Sequence, residues 1–205
     1  AIGIVRGVYL PEDEEKFNRG KLILSDGEEI DSVVLGRVIT LMKRHLSIKN
    51  PHLWVVYPRC REIGNLHLQI SGIWEPSTLL RTDSGTEIKD NSDKFSNKDS
   101  LDNLPEGDDY FSIRGEVIFI KPESNQLIIK VRQKIRPNGN RPIPFKLNLE
   151  GQLPLDCLRK FVNIKARRKL QSILVEDFEV IGPIQTRGGK KGNNARISIN
   201  KTNGY

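Results

Sequence analysis

Apolar and polar residues alternate along much of the chain, in short runs closed by Gly, Pro, Asn or Asp. Successive side chains of a strand point to opposite faces, so such runs predict half-buried strands. They fall at residues 2–10, 20–25, 29–35, 53–59 and 66–74, and again at 111–120, 126–136, 142–149, 161–167 and 172–181. Asp26-Gly27, between the second and third runs, suits a tight hairpin turn. Two segments break the rhythm. In 38–46, Val38, Ile39, Leu41, Met42 and Leu46 fit one face of a short helix and also fit a strand, while 154–159 reads as a short element of helical character.

The strand list occurs twice. Residues 54–76 recur at 161–183, with Trp54-Val55 on Phe161-Val162, Arg61 on Arg168, Leu66 on Ile173, Leu68 on Val175, Ile73 on Val180 and Pro76 on Pro183. Near the start of each copy Val5-Arg6-Gly7 matches Ile113-Arg114-Gly115. So long a period points to duplicated domains, not to a solenoid of short repeats, and 205 residues suffice for two small cores. Five strands with a short element ahead of the fourth, in tandem, resemble the OB-fold superfamily of oligonucleotide-binding domains. The resemblance covers nearly the whole chain except the middle segment and the last twenty or so residues. It implies an all-β class with two five-stranded Greek-key barrels and short helical elements. An SH3-like barrel would give a similar strand list.

Charge divides the copies. Residues 1–80 carry ten Lys/Arg against ten Asp/Glu, residues 81–109 four against nine, and residues 110–205 nineteen against seven. The expected organisation is a neutral first barrel (1–80), an acidic linker (81–109), a basic second barrel (110–184) and a basic Gly/Asn-rich tail (185–205). A basic half beside a neutral one predicts a polyanionic partner for that half. The linker reads as a solubilising spacer, with competition for the basic face as the other reading. The tail, with Arg187, Lys190, Lys191, Arg196 and Lys201, either follows phosphates or keeps the chain in solution.

The candidate site is the hairpin of the second copy. Leu127, Ile129, Val131 and Ile135 share one parity, and Lys130, Arg132, Lys134 and Arg136 share the other. Pro137-Asn138-Gly139-Asn140 turns the chain, after which Ile143, Phe145, Leu147 and Leu149 point inward and Lys146 and Asn148 join the cations. Like charges at every second position are unfavourable unless an anion neutralises them or water and salt screen them. By the resemblance, this outer face of the second and third strands is where OB-folds carry an oligonucleotide. Lys165, Arg167, Arg168 and Lys169 add a second cluster. Phe161 and its counterpart Trp54 fall opposite the inward Val162 and Val55, and either lie exposed for base stacking or pack against a neighbouring element. Phe119 and Phe145 fall on core parity. With aromatics at 6%, binding should depend mainly on charge.

Other chemistry is sparse. His45, His52 and His67 do not pair at metal-ligand spacing, and Asp26, Glu28 and Glu29 belong to a turn. Gly188-Gly189-Lys190-Lys191 lacks the spacing and the Ser/Thr of a phosphate-binding loop. No cofactor, metal or catalysis is expected. Cys60 and Cys157 read as free thiols in a reducing cytoplasm. No apolar run reaches the ~20 residues of a membrane span, no signal peptide is evident, and the start at Ala1 suggests part of a longer chain. The reading is a non-enzymatic protein whose second barrel binds single-stranded RNA or DNA through phosphates. The first barrel then serves docking or dimerisation, through Trp54, Trp74 and free sheet edges. The alternative is a scaffold or accessory subunit whose basic face meets an acidic protein.

Overall fold

The alternating runs become ten strands in a computed structural model that describes residues 1–13, 16–60, 65–74, 104–133, 137, 139 and 142–184. The first half holds β1 (Ile2–Pro11), β2 (Arg19–Leu24), β3 (Glu29–Val34), helix α1 (Gly36–His45), β4 (His52–Cys60) and β5 (Leu66–Ile73). Pairing runs β1-β2-β3-β5-β4 and returns to β1, with β3 and β5 parallel, which closes a Greek-key barrel. The second half repeats the scheme. β6 (Tyr110–Lys121), β7 (Gln126–Val131), β8 (Phe145–Glu150), β9 (Lys160–Lys169) and β10 (Ser172–Pro183) close as β6-β7-β8-β10-β9, with β8 and β10 parallel. A 3-10 turn at Leu155–Cys157 stands where the first barrel has its helix. The expected all-β class and the two five-stranded barrels are therefore present. Residues 75–103, most of the expected linker, and 185–205, the expected tail, lie outside the described residues.

Each barrel closes because its first strand bends at a glycine. Gly7 leaves the β4 ladder and joins that of β2, and a Cβ there would sit 2.4 Å from the Ile23 carbonyl oxygen. Gly115 does the same work between β9 and β7, where the Lys130 carbonyl oxygen lies 2.7 Å from the site of a Cβ. Only a residue without a side chain lets backbones approach this closely. Helix α1 resolves the ambiguous segment. Val38 and Met42, one turn apart, are buried against the barrel, Ile39 and Leu46 pack beside them, and Leu41 faces out, contrary to the expected apolar face.

The duplication survives in topology, but the constant spacing does not. Val5 pairs with Trp54 and Ile113 pairs with Ile164, so Trp54 occupies the place of Ile164, not of Phe161. Pro58 faces Leu68 as Arg168 faces Ile173, so Leu68 corresponds to Ile173, not to Val175. The β4–β5 and β9–β10 connections differ in length, and no single offset can serve both strands. Trp54 therefore points inward. It is fully buried, its indole N–H donates to the Gly7 carbonyl at 2.8 Å, and Tyr9 packs edge-on at 6.3 Å, while Val55 is half-exposed. Trp54 is thus a core residue, not a docking surface.

The two barrels meet along matching edges. Ile2, Gly3 and Ile4 pair antiparallel with Ser112, Phe111 and Tyr110, joining both barrels into one ten-stranded sheet. Gly3 and Phe111 stand at equivalent positions, four residues before the bending glycines, so the joint has a local pseudo-two-fold. The Phe111 ring fills the space over Gly3, where a Cβ would come within 2.2 Å of it. Contacts around the joint are reciprocal. From the second barrel Arg168 donates to Asp26 at 2.9 Å, and Gln171 donates to Glu28 at 2.9 Å. From the first, Arg59 lies 3.9 Å over the Phe145 ring, and Cys60 Sγ accepts from the Asn148 backbone N–H at 3.4 Å.

Arg168 is the centre of this joint. Its side chain is 2% exposed, and besides Asp26 it donates to both carboxylate oxygens of Asp109 and to the Leu170 carbonyl. Burial works against its charge, but the hydrogen bonds to Asp109 and then Asp26 outweigh it and raise its pKa. At Asp26 burial likewise favours the neutral acid, and the bonds from Arg168 prevail, lowering the pKa below its ordinary value. The expected phosphate contact at Arg168 is therefore replaced by a structural one: a guanidinium buried among carboxylates has no face left for a ligand.

Candidate nucleic-acid interface

The predicted parity of the second-barrel hairpin holds where it is described. Leu127, Ile129 and Val131 on β7 and Leu147 and Leu149 on β8 are buried, leaving Ile128, Lys130, Lys146 and Asn148 on the outer face. Arg132, just past β7, is exposed beside them. The strands are shorter than expected, ending at Val131 and resuming at Phe145; Ile143, expected inward, is 87% exposed. Phe145, at the open end of the barrel, is half-buried under Arg59.

Register turns this face into an ordered row. Lys146 stands directly opposite Lys130, Lys130 opposite Glu116, and Glu116 opposite Phe161, across β8, β7, β6 and β9. Arg132 reaches the same Glu116 oxygen at 3.4 Å that Lys130 approaches at 4.0 Å. One carboxylate thus serves two cations while a third, Lys146, faces Lys130. Directly opposed like charges are destabilising in a two-strand ladder. A phosphate lying over the row would remove that cost and gain charge-assisted hydrogen bonds.

Residues 1–81 match the family model described as PatR RNA-binding protein, N-terminal OB-fold domain. Residues 113–182 match another, described as Cyanobacterial OB-fold-like RNA-binding domain, C-terminal. The chain belongs to the OB-fold superfamily. Its two OB domains stand in tandem, and both matches are to domains of an RNA-binding kind. No curated protein and no solved structure matches the chain.

Within the C-terminal OB domain the candidate residues separate into groups. Lys130, Arg132, Lys146 and Phe161 share the outer face, with Phe161 half-buried. Lys165 and Arg167 lie farther along β9 and are neutralised by β10: Lys165 is 3.5 Å from Asp177, and Arg167 donates to Glu176 at 2.6 Å. Arg167 also binds the carbonyls of Asp108 and Glu106, which fastens the segment leading into β6. Arg168 belongs to the inter-barrel joint. Lys134 and Arg136 lie outside the described residues.

Two residues of this face escaped the sequence reading. Arg114 is exposed on β6 and donates to Asn163 of β9 at 3.2 Å. Its position between the inward Ile113 and Gly115 was the available signal. Phe119, expected in the core, is 43% exposed. Val117 pairs with Ile129 and Phe119 with Ile128, so Ile118 is an extra residue that reverses the parity of the rest of the strand. A bulge of this kind is a property of pairing, and no local pattern announces it.

The N-terminal OB domain presents a different face. Lys21 stands opposite Asp31 and ion-pairs with Glu29 at 2.7 Å. Cation and carboxylates there balance within the domain. Among the described residues, no group of three or more His, Cys, Asp or Glu could hold a metal ion, and no helix is long and apolar enough to cross a membrane.

Proposed function

We propose that this tandem OB-fold protein binds single-stranded RNA on the outer face of its C-terminal barrel, with Lys130, Arg132, Lys146 and Arg114 as phosphate partners. The observation that carries the reading is the opposed pair Lys130 and Lys146 beside the Glu116 carboxylate that Lys130 shares with Arg132 among the described residues. Arg132, 60% exposed, has most of its side chain available to a ligand. RNA is favoured over DNA by the two matched domain models. The N-terminal barrel acts as the platform on which the C-terminal barrel docks, through the paired β1 and β6 edges and Arg168. The free thiols Cys60 and Cys157 agree with a reducing, nucleic-acid-containing compartment such as the cytoplasm.

The test is binding of the intact protein to labelled single-stranded RNA, single-stranded DNA and duplex RNA across a salt series. Single-stranded RNA should bind best and with steep salt dependence. In the variant carrying Lys130→Ala with Arg132→Ala, the salt slope should flatten by about 0.7 for each phosphate no longer neutralised, with all sequences weakened alike. Unchanged binding by that variant would sink the assignment, and capture of an acidic protein in its place would make the face a protein-docking surface.

A further inference from the structure

The cationic row borders a second row of different chemistry. Asn148 on β8 stands opposite Ile128 on β7, and Ile128 opposite Phe119 on β6, with Phe119 turned outward by the Ile118 bulge. The next row holds Glu150 opposite Gln126. These two rows line a cavity of about 250 Å³ whose remaining walls come from elsewhere: Cys60 and Leu66 of the N-terminal barrel, and the β9–β10 turn around Gln171. The turn is tied to the N-terminal barrel by the bonds of Gln171 to Glu28 and to the Glu29 carbonyl. The cavity therefore exists only where the two barrels meet.

Resting on the RNA-binding function proposed for this face, we propose that the inter-barrel cavity receives an unstacked RNA base from the strand whose phosphates lie on the Lys130–Lys146 row. Its size is below the range of drug-sized ligand sites and suits a single base. Phe119 and Ile128 offer an aromatic edge or face and an apolar floor. A base leaving solvent needs such a surface, because stacking on a ring is the sequence-tolerant contact that single-strand binders add to their phosphate contacts. The exposed amides of Gln126 and Asn148 and the Glu150 carboxylate, which accepts from Ser172, supply donors and acceptors for the base edge. Adjacency decides the occupant: one step along the strands from the phosphate row is where the base of a bound nucleotide must go, and a free apolar ligand would have no use for the cations beside it.

The first barrel thereby takes a part in recognition. Phosphates on the row are read without regard to sequence, whereas a base in the cavity is read by its edge, and the cavity is complete only with Cys60 and Leu66 in place. The docked arrangement of the two barrels is then a condition of base preference.

The experiment uses the full chain and homopolymeric single-stranded RNAs of adenosine, cytidine and uridine, titrated across a salt series. Phe119→Ala should lower affinity about five-fold to a hundred-fold, the loss of one stacked base, with the salt slope unchanged because no phosphate partner is removed. Phe119→Trp should keep the affinity and add an indole fluorescence that the RNA quenches on binding. Asn148→Ala and Gln126→Ala should narrow the spread of affinities among the three polymers. Phe119→Ala with unchanged affinity, or with a loss accompanied by a flattened salt slope, overturns the cavity assignment while leaving the phosphate row intact. Absence of RNA binding by the unaltered protein overturns the nucleic-acid reading and the cavity with it.

Discussion

On the outer face of the first barrel Lys21 stands opposite Asp31 and pairs with Glu29, whereas on the corresponding face of the second Lys130 stands opposite Lys146. The strand order beneath the two faces is the same. Closing a barrel requires only inward parity and a bending glycine, and both halves have them; outward positions are free to diverge. The first barrel uses that freedom to neutralise itself and the second to leave positive charge unspent. The difference between the barrels therefore lies in outward residues, not in the fold.

The largest test of this comparison asks whether the barrels are one unit or two. Trp54→Ala removes a fully buried ring and the donor to Gly7, and should cost about 3–5 kcal/mol in urea unfolding. One transition, shifted as a whole, is the outcome expected if the β1–β6 pairing and Arg168 couple the barrels. Two transitions with one displaced would show that the barrels unfold separately.

Next in size is the joint itself. Arg168→Met leaves Asp109 half-shielded without its partner and should cost about 3 kcal/mol, the lower end for breaking a buried pair since Asp26 is partly solvated. The pH dependence comes from Asp26. Its folded pKa lies below its ordinary value of 3.8, so its contribution is present above that value and is lost as pH falls through the folded pKa. Acid titration of stability should therefore steepen below about pH 4 in the unaltered protein and be flatter in Arg168→Met.

Smaller effects sharpen the contrast between the faces. Glu116→Gln frees Lys130 and Arg132 from their shared carboxylate and should raise RNA affinity about three-fold at low salt, fading as salt rises. A fall in affinity would mean that Glu116 positions the cations instead of masking them. Lys21→Ala on the first barrel should leave the urea unfolding midpoint and RNA affinity nearly unchanged, since it removes only an exposed ion pair. A marked loss of RNA binding there would erase the distinction between the two barrels.

Much of this could be read locally. Alternation placed the strands within a few residues, assigned Leu127, Ile129, Val131, Leu147 and Leu149 to the core, and put Lys130 and Lys146 on one outer face. Asp26-Gly27 forms its turn, with Gly27 at φ 83°. Three features misled. Arg168 resembled its basic neighbours Arg167 and Lys169, yet its parity matched the inward Val162, Ile164 and Ala166. A strand's parity outranks its local charge wherever carboxylates wait on the inner side. Trp54 departs from the constant repeat spacing because the β4–β5 and β9–β10 connections are of unequal length. Phe119 was misplaced because one extra residue in a ladder reverses every later side chain.

Sequence alone determined the period-two pattern, the duplication and the uneven charge, because these depend on neighbours a few residues apart and on composition. Tertiary structure decided which edges the barrels share, where the β6 bulge falls, and that Asp26, Asp109 and Arg168 meet. Those outcomes rest on hydrogen bonds and ion pairs between segments as much as 143 residues apart. Their energy exists only after both barrels have closed, so it leaves no periodic trace in the chain.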